Sequence, residues 1–177
     1  MVANGEDGTY GTGKAVTRLL GGYINNVYGG SNTKGDIVGG TDVRTKQRTD
    51  IFTKPEYCTD LNVGKIFGAG SHADMDGDVN IILECMPEDY VKEVYGGAEQ
   101  ATVNGNVSLI VTSGKFGRVF GGNNAGGDIR GSITVNVSED GCKPLIIGEL
   151  YGGGNQAPYS IYGCTKTDNG DGTYTYL

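Results

Sequence analysis

The chain has 177 residues, 33 of them glycine, and a formal net charge of -7. Glycine near a fifth of the chain, against about 7% on average, excludes an ordinary globular composition, and the glycines do not fall every third residue as collagen requires. No apolar run approaches the roughly 18 residues of a membrane-spanning helix, and the negative balance has the wrong sign for gripping phosphate backbones or anionic lipid, so neither nucleic-acid binding nor membrane insertion of this segment is expected.

Residues 1–13 read as an N-terminal cap or linker. Its opening, Met1 to Asp7, lacks the basic and apolar regions of a signal peptide. Gly8 to Lys14 has the glycine and lysine spacing of a phosphate loop, but Ala15 stands where the magnesium-holding Ser or Thr belongs. Neither the preceding strand nor the following helix of a real phosphate loop is apparent, so this spacing reads as coincidence in a glycine-rich chain.

From residue 14 to 154 one motif recurs five times: an apolar residue, two variable ones, an apolar residue, an aromatic, then Gly and a second Gly or Ala. The copies begin at Ile24, Val63, Val91, Phe116 and Ile147 and place Tyr28, Phe67, Tyr95, Phe120 and Tyr151 in the aromatic position, with steps of 39, 28, 25 and 31 residues. Fixed-period self-similarity marks stacked repeats. A period-two stretch precedes the later copies: Thr41/Val43/Thr45, Val79/Ile81/Leu83, Val107/Leu109/Val111 and Ile133/Val135/Val137 share one face. Such alternation with β-branched residues predicts strands. Gly40, Gly77, Gly105 and Gly131 stand ahead of these stretches, where glycine would supply the positive φ of a corner. A third short apolar piece, such as Thr102-Val103 or Asp128-Ile129, gives two or three strands per repeat.

A unit of about 25 residues cannot bury its apolar face alone, but stacking at about 4.8 Å gives every strand a parallel partner. The predicted fold is all-β, a single-stranded parallel β-helix of about five rungs, right-handed by the usual sense of parallel crossovers. Stacking aligns two columns. Asn26, Lys65, Glu93, Arg118 and Glu149 alternate in charge from the second rung on, which stabilises where like charges would repel. The five aromatics form a column of offset rings. Facing inward it is core; facing outward it would stack on sugar rings. Inward is the expectation.

The polar run from Arg44 to Leu61 reads as an insertion loop, and insertions on one face of a solenoid are where recognition usually sits. Cys58, Cys85 and Cys142 precede their aromatics by 9, 10 and 9 residues, so they share a turn column. Adjacent rungs would put Cys58 and Cys85 within the disulfide window of about 4.4 to 6.8 Å, leaving a Cys58–Cys85 bond and a reduced stack both open. The cysteine spacings match no zinc site. Asp74, Asp76 and Asp78 alternate and read first as a solvated acidic turn; the alternative is three carboxylates offered to calcium, although the register is not that of an EF-hand. No other cofactor is expected, and no nucleophile–His–acid triad can be assembled around His72, the single histidine. Residues 155–177 read as a C-terminal cap or the start of a further repeat, with Asp168 to Gly172 a turn.

The repeats Val-Tyr-Gly-Gly and above all Gly148-Glu149-Leu150-Tyr151-Gly152-Gly153-Gly154-Asn155-Gln156-Ala157-Pro158-Tyr159-Ser160-Ile161-Tyr162-Gly163 resemble glycine-rich repeat regions of large adhesin-like surface proteins of gut bacteria. The resemblance covers roughly residues 15 to 163. It implies export, a β-helical stalk and no assigned catalytic residue. Such proteins carry signals, anchors and many more repeats, so the chain is expected to be a segment of something longer. The expected function is a non-enzymatic extracellular spacer or adhesive surface, with a glycan or host surface protein as partner and its oligomeric state open. The second expectation, from fold analogy, is a carbohydrate-active or glycan-binding β-helix.

Overall fold

The computed structural model describes residues 13–45, 60–86, 88–139 and 144–159, together with the backbone of 166–168, 170 and 174–176. The protein is an all-β parallel solenoid, the predicted β-helix. One sheet stacks β1 (Ala15–Arg18), β3 (Thr41–Arg44), β5 (Val79–Leu83), β7 (Val107–Val111) and β9 (Ile133–Val137). The other stacks β2 (Gly22–Tyr28), β4 (Leu61–Phe67), β6 (Tyr90–Tyr95), β8 (Gly114–Phe120) and β10 (Leu145–Tyr151). Every pairing in both sheets is parallel, and each runs between strands one rung apart. The short apolar piece forms a third line, in which Met75, Val103 and Ile129 make isolated parallel bridges.

These three lines enclose the core. Val79, Ile81 and Leu83 of β5 and Val107, Leu109 and Val111 of β7 point inward, as their alternation predicts, against Val63, Ile66, Val91, Val94 and Val119 of the second sheet. The loops after the Gly pairs stack in the same way, with Glu99 N–H donating to the Gly70 carbonyl and Ala125 N–H to that of Glu99. Backbone amides thus pair upward and downward well beyond the strands.

The glycine corners correct one expectation. Among the described residues positive φ falls on Gly22, Gly35, Gly40, Gly114, Gly127, Gly170 and Cys85, so of the four corner glycines only Gly40 needs it. Close approach explains the others. A Cβ on Gly105 or Gly131 would collide with the backbone of the corner glycine one rung before. A Cβ on Gly29, Gly68, Gly96 or Gly121 would collide with the carbonyl oxygen of the glycine one rung on. Successive rungs are packed backbone to backbone there, and any side chain would force them apart.

Beyond the solenoid, β11 (Lys166–Asp168) and β12 (Tyr174–Tyr176) pair antiparallel with each other, a hairpin absent from the repeat reading. Gly170 between them has φ 75, in keeping with the turn expected there.

Candidate functional site

The motif leaves two residues between its apolar positions, which no regular strand can do while keeping both on one face. The structure resolves this with an extra residue in every rung. Val63 pairs with Val91 and Lys65 with Glu93, while Gly64 is skipped, and the same position is skipped in each pairing of this sheet. The bulge shifts the alternation, so Ile66 returns to the core while Lys65 and Phe67 project outward. The aromatic column therefore stands on the outer face. The middle three rings are nonetheless buried, as the core expectation has it, but in a cluster of their own: Phe67, Tyr95 and Phe120 are 0%, 1% and 3% exposed, with Tyr28 packed against them.

The rings stack face to face at centroid separations of 4.9, 4.9, 5.0 and 4.8 Å, within 8° of parallel. The charged column lies beside them in the expected register, and the two are coupled. Where the residue two before the ring is Glu, the ring is Tyr and its hydroxyl donates to that carboxylate: Tyr95 to Glu93 at 3.1 Å and Tyr151 to Glu149 at 2.8 Å. Where it is a cation, the ring is Phe. Lys65 precedes Phe67, and the Arg118 guanidinium lies 5.9 Å from the Phe120 centroid. Glu93 is held from both sides, by Lys65 at 3.4 Å and by Arg118. Burial would raise its carboxyl, but Arg118, Lys65 and the Tyr95 hydroxyl together hold it below the usual carboxylate range. Burial first, and then the Glu93 charge and hydrogen bond, push the Tyr95 hydroxyl up to about 12. Glu99 accepts from Tyr28 at 2.7 Å and Ser71 at 2.9 Å, and these bonds, aided by Lys65 and His72, likewise lower it against the effect of burial. These charges are occupied in holding rungs together.

Beside this network the outer face carries a groove of about 260 Å³. Tyr23, Asn62 and Tyr90 stack in one register column, and Asn25, Gly64 and Lys92 occupy the bulge positions next to it. Gly64 forms a bare floor, since a Cβ there would collide with the Asn25 carbonyl oxygen. Tyr23 is 86% exposed and Tyr90 is also exposed, its hydroxyl 3.2 Å from where a Cβ on Gly117 would lie. The groove thus offers two flat aromatic faces, two amides and an ammonium group, a set suited to binding a polar, ring-containing ligand. Sequence reading missed Tyr23 and Tyr90. Their signal was an aromatic immediately ahead of the first inward residue in the first and third copies.

The aspartates do not converge. Asp74, Asp76 and Asp78 are exposed at alternate positions of an extended segment, where same-face residues stand about 7 Å apart. Each carboxylate instead serves the next rung: Asp74 accepts from Thr102 N–H, Asp76 from the Asn104 amide and Asp78 from Asn106 N–H. Among the described residues no group of three His, Cys, Asp or Glu could hold a metal ion, and the exposed aspartates accord with the acidic turn rather than with the calcium alternative. Cys85 is disulfide-bonded. Cys58, Cys142 and Cys164 lie outside the described residues, as do 46–59 of the expected insertion loop and all but Gly13 and Lys14 of the phosphate-loop spacing.

No protein-family model matches the chain, and no curated protein or solved structure does.

Proposed function

We propose that this chain is a non-enzymatic extracellular module, a spacer and adhesive surface of a larger cell-surface protein, and that its contact surface is the Tyr23–Tyr90 groove, which takes a glycan. The observation that carries this reading is the groove itself: two outward tyrosines two rungs apart, about 10 Å along the stack, over a glycine floor flanked by Asn25, Asn62 and Lys92. Sugar rings present an apolar face that stacks on tyrosine and a rim of hydroxyls that exchange hydrogen bonds with amides. Lys92 adds a preference for an acidic sugar. The solenoid supports the middle of the groove rigidly, because β4 and β6 beneath it are each paired on both edges.

Glycan-array binding followed by calorimetry tests the reading. Tyr23→Ala and Tyr90→Ala are each expected to weaken binding at least about tenfold, on the scale of a lost aromatic contact. Deleting residues within 46–59, between β3 and β4, should leave binding in place. Unaltered binding in both tyrosine variants, or loss only on deleting that run, would overturn the groove as the contact.

A further inference from the structure

The carboxyl-terminal end of the stack keeps a feature whose cause is missing there. Gly29, Gly68, Gly96 and Gly121 are glycine because the next rung's backbone occupies the place of their Cβ. Gly152 continues that column and Gly153 follows it, yet among the described residues a Cβ on either meets nothing within 4 Å, and neither has positive φ. Beside them Leu150 and Tyr151 are about half exposed, although their counterparts one rung back are buried. Among the described residues β10 pairs only with β8, and β11 and β12 pair antiparallel with each other rather than extending the parallel stack.

We propose that this end face receives the amino-terminal rung of a second copy, with β2 of one chain laid parallel on β10 of another in the register of every internal step. That register sets Asn26 against Glu149, Val27 against Leu150 and Tyr28 against Tyr151, with Gly29 following onto Gly152. The contacts are complementary. The Asn26 amide donates to the Glu149 carboxylate where an acidic residue would repel it, an apolar side chain covers Leu150, and ring stacks on ring as it does four times within the chain. The outer edge of β2 is as open as that of β10 among the described residues. Because the two faces differ, the contact is heterologous and does not close on itself, so copies add head to tail.

Sedimentation velocity on the full chain over a wide concentration range tests this, with Gly152→Val as the decisive variant. In the single chain the new side chain meets none of the described residues, so circular dichroism and the melting temperature in dilute solution should match those of the parent. At the junction it would strike the incoming backbone, as a side chain on Gly121 would strike Gly152, and association should fall at least about tenfold. The variant keeps its own β2 face, so a substoichiometric amount should also shorten parent assemblies, which indiscriminate aggregation would not allow. A parent chain monomeric at every concentration, or Gly152→Val associating as strongly as the parent, would overturn the proposal. So would a Gly152→Val chain that melts well below the parent in dilute solution, since the chain's own residues would then cover the face.

Discussion

The inner rungs and the last rung are written in the same motif and meet different fates. Val119 and Phe120 of β8 are 0% and 3% exposed; Leu150 and Tyr151 of β10, in register with them, are 48% and 45% exposed. Leucine is no less apolar than valine, and Tyr95, a tyrosine in the same column, is 1% exposed, so burial here is conferred by the rung above. In a one-dimensional stack each unit is stabilised by its neighbours, and a terminal unit loses one of the two.

Substitutions along the columns should reproduce that difference. The largest effect is expected at Gly96, where a side chain meets the Gly121 carbonyl and Val107: Gly96→Val should cost about 3 kcal/mol or more and lower the urea midpoint sharply. Next comes the buried ring stack. Phe67→Ala removes a ring held between Tyr28 and Tyr95 and should cost about 3 to 5 kcal/mol in the same assay.

Charge follows. Glu93→Ala leaves Lys65, Arg118 and the Tyr95 hydroxyl without their shared acceptor and should cost about 1 to 3 kcal/mol. The pH dependence has two arms. Glu93 and Glu99 are lowered in the folded chain, so their stabilisation is present above the unfolded carboxylate range and is lost as pH falls through their folded values. Tyr95 is raised, so its contribution is complete below the unfolded value near 10 and is lost as pH climbs through about 12. The urea midpoint should therefore fall further between neutral pH and pH above about 12 in the parent than in Tyr95→Phe. The smallest effect belongs to the open rung. Leu150→Ala should cost less than about 1 kcal/mol, against about 2 for Val119→Ala. Equal costs at these two positions would mean that the end rung is covered.

Much of this architecture was legible because it repeats. Spacing alone aligned Tyr28, Phe67, Tyr95, Phe120 and Tyr151, and it put Lys65, Glu93 and Arg118 in one line. The coupling of Tyr to Glu and of Phe to a cation two residues earlier was also on the page, but it acquires meaning only once both residues share an outer face. That the rings pack apart from the main core follows from the bulge. Two residues between Val63 and Ile66 already require a bulge, and the bulge reverses the direction of Phe67. For Asp74, Asp76 and Asp78, alternation in sequence resembles a cluster. In extended backbone it means separation, and the partners of Asp74 and Asp78, Thr102 and Asn106, lie 28 residues away.

Sequence by itself determined the period, the registry and the absence of helical patterning, because each depends on which residue types recur at which interval. Only the tertiary structure decided why the glycines are glycines, which face the rings take, and that Tyr23, Asn62 and Tyr90 share a groove. Those answers depend on how close one rung's backbone comes to the next, a distance set by stacked hydrogen bonds between residues 25 to 40 positions apart, which no local pattern encodes.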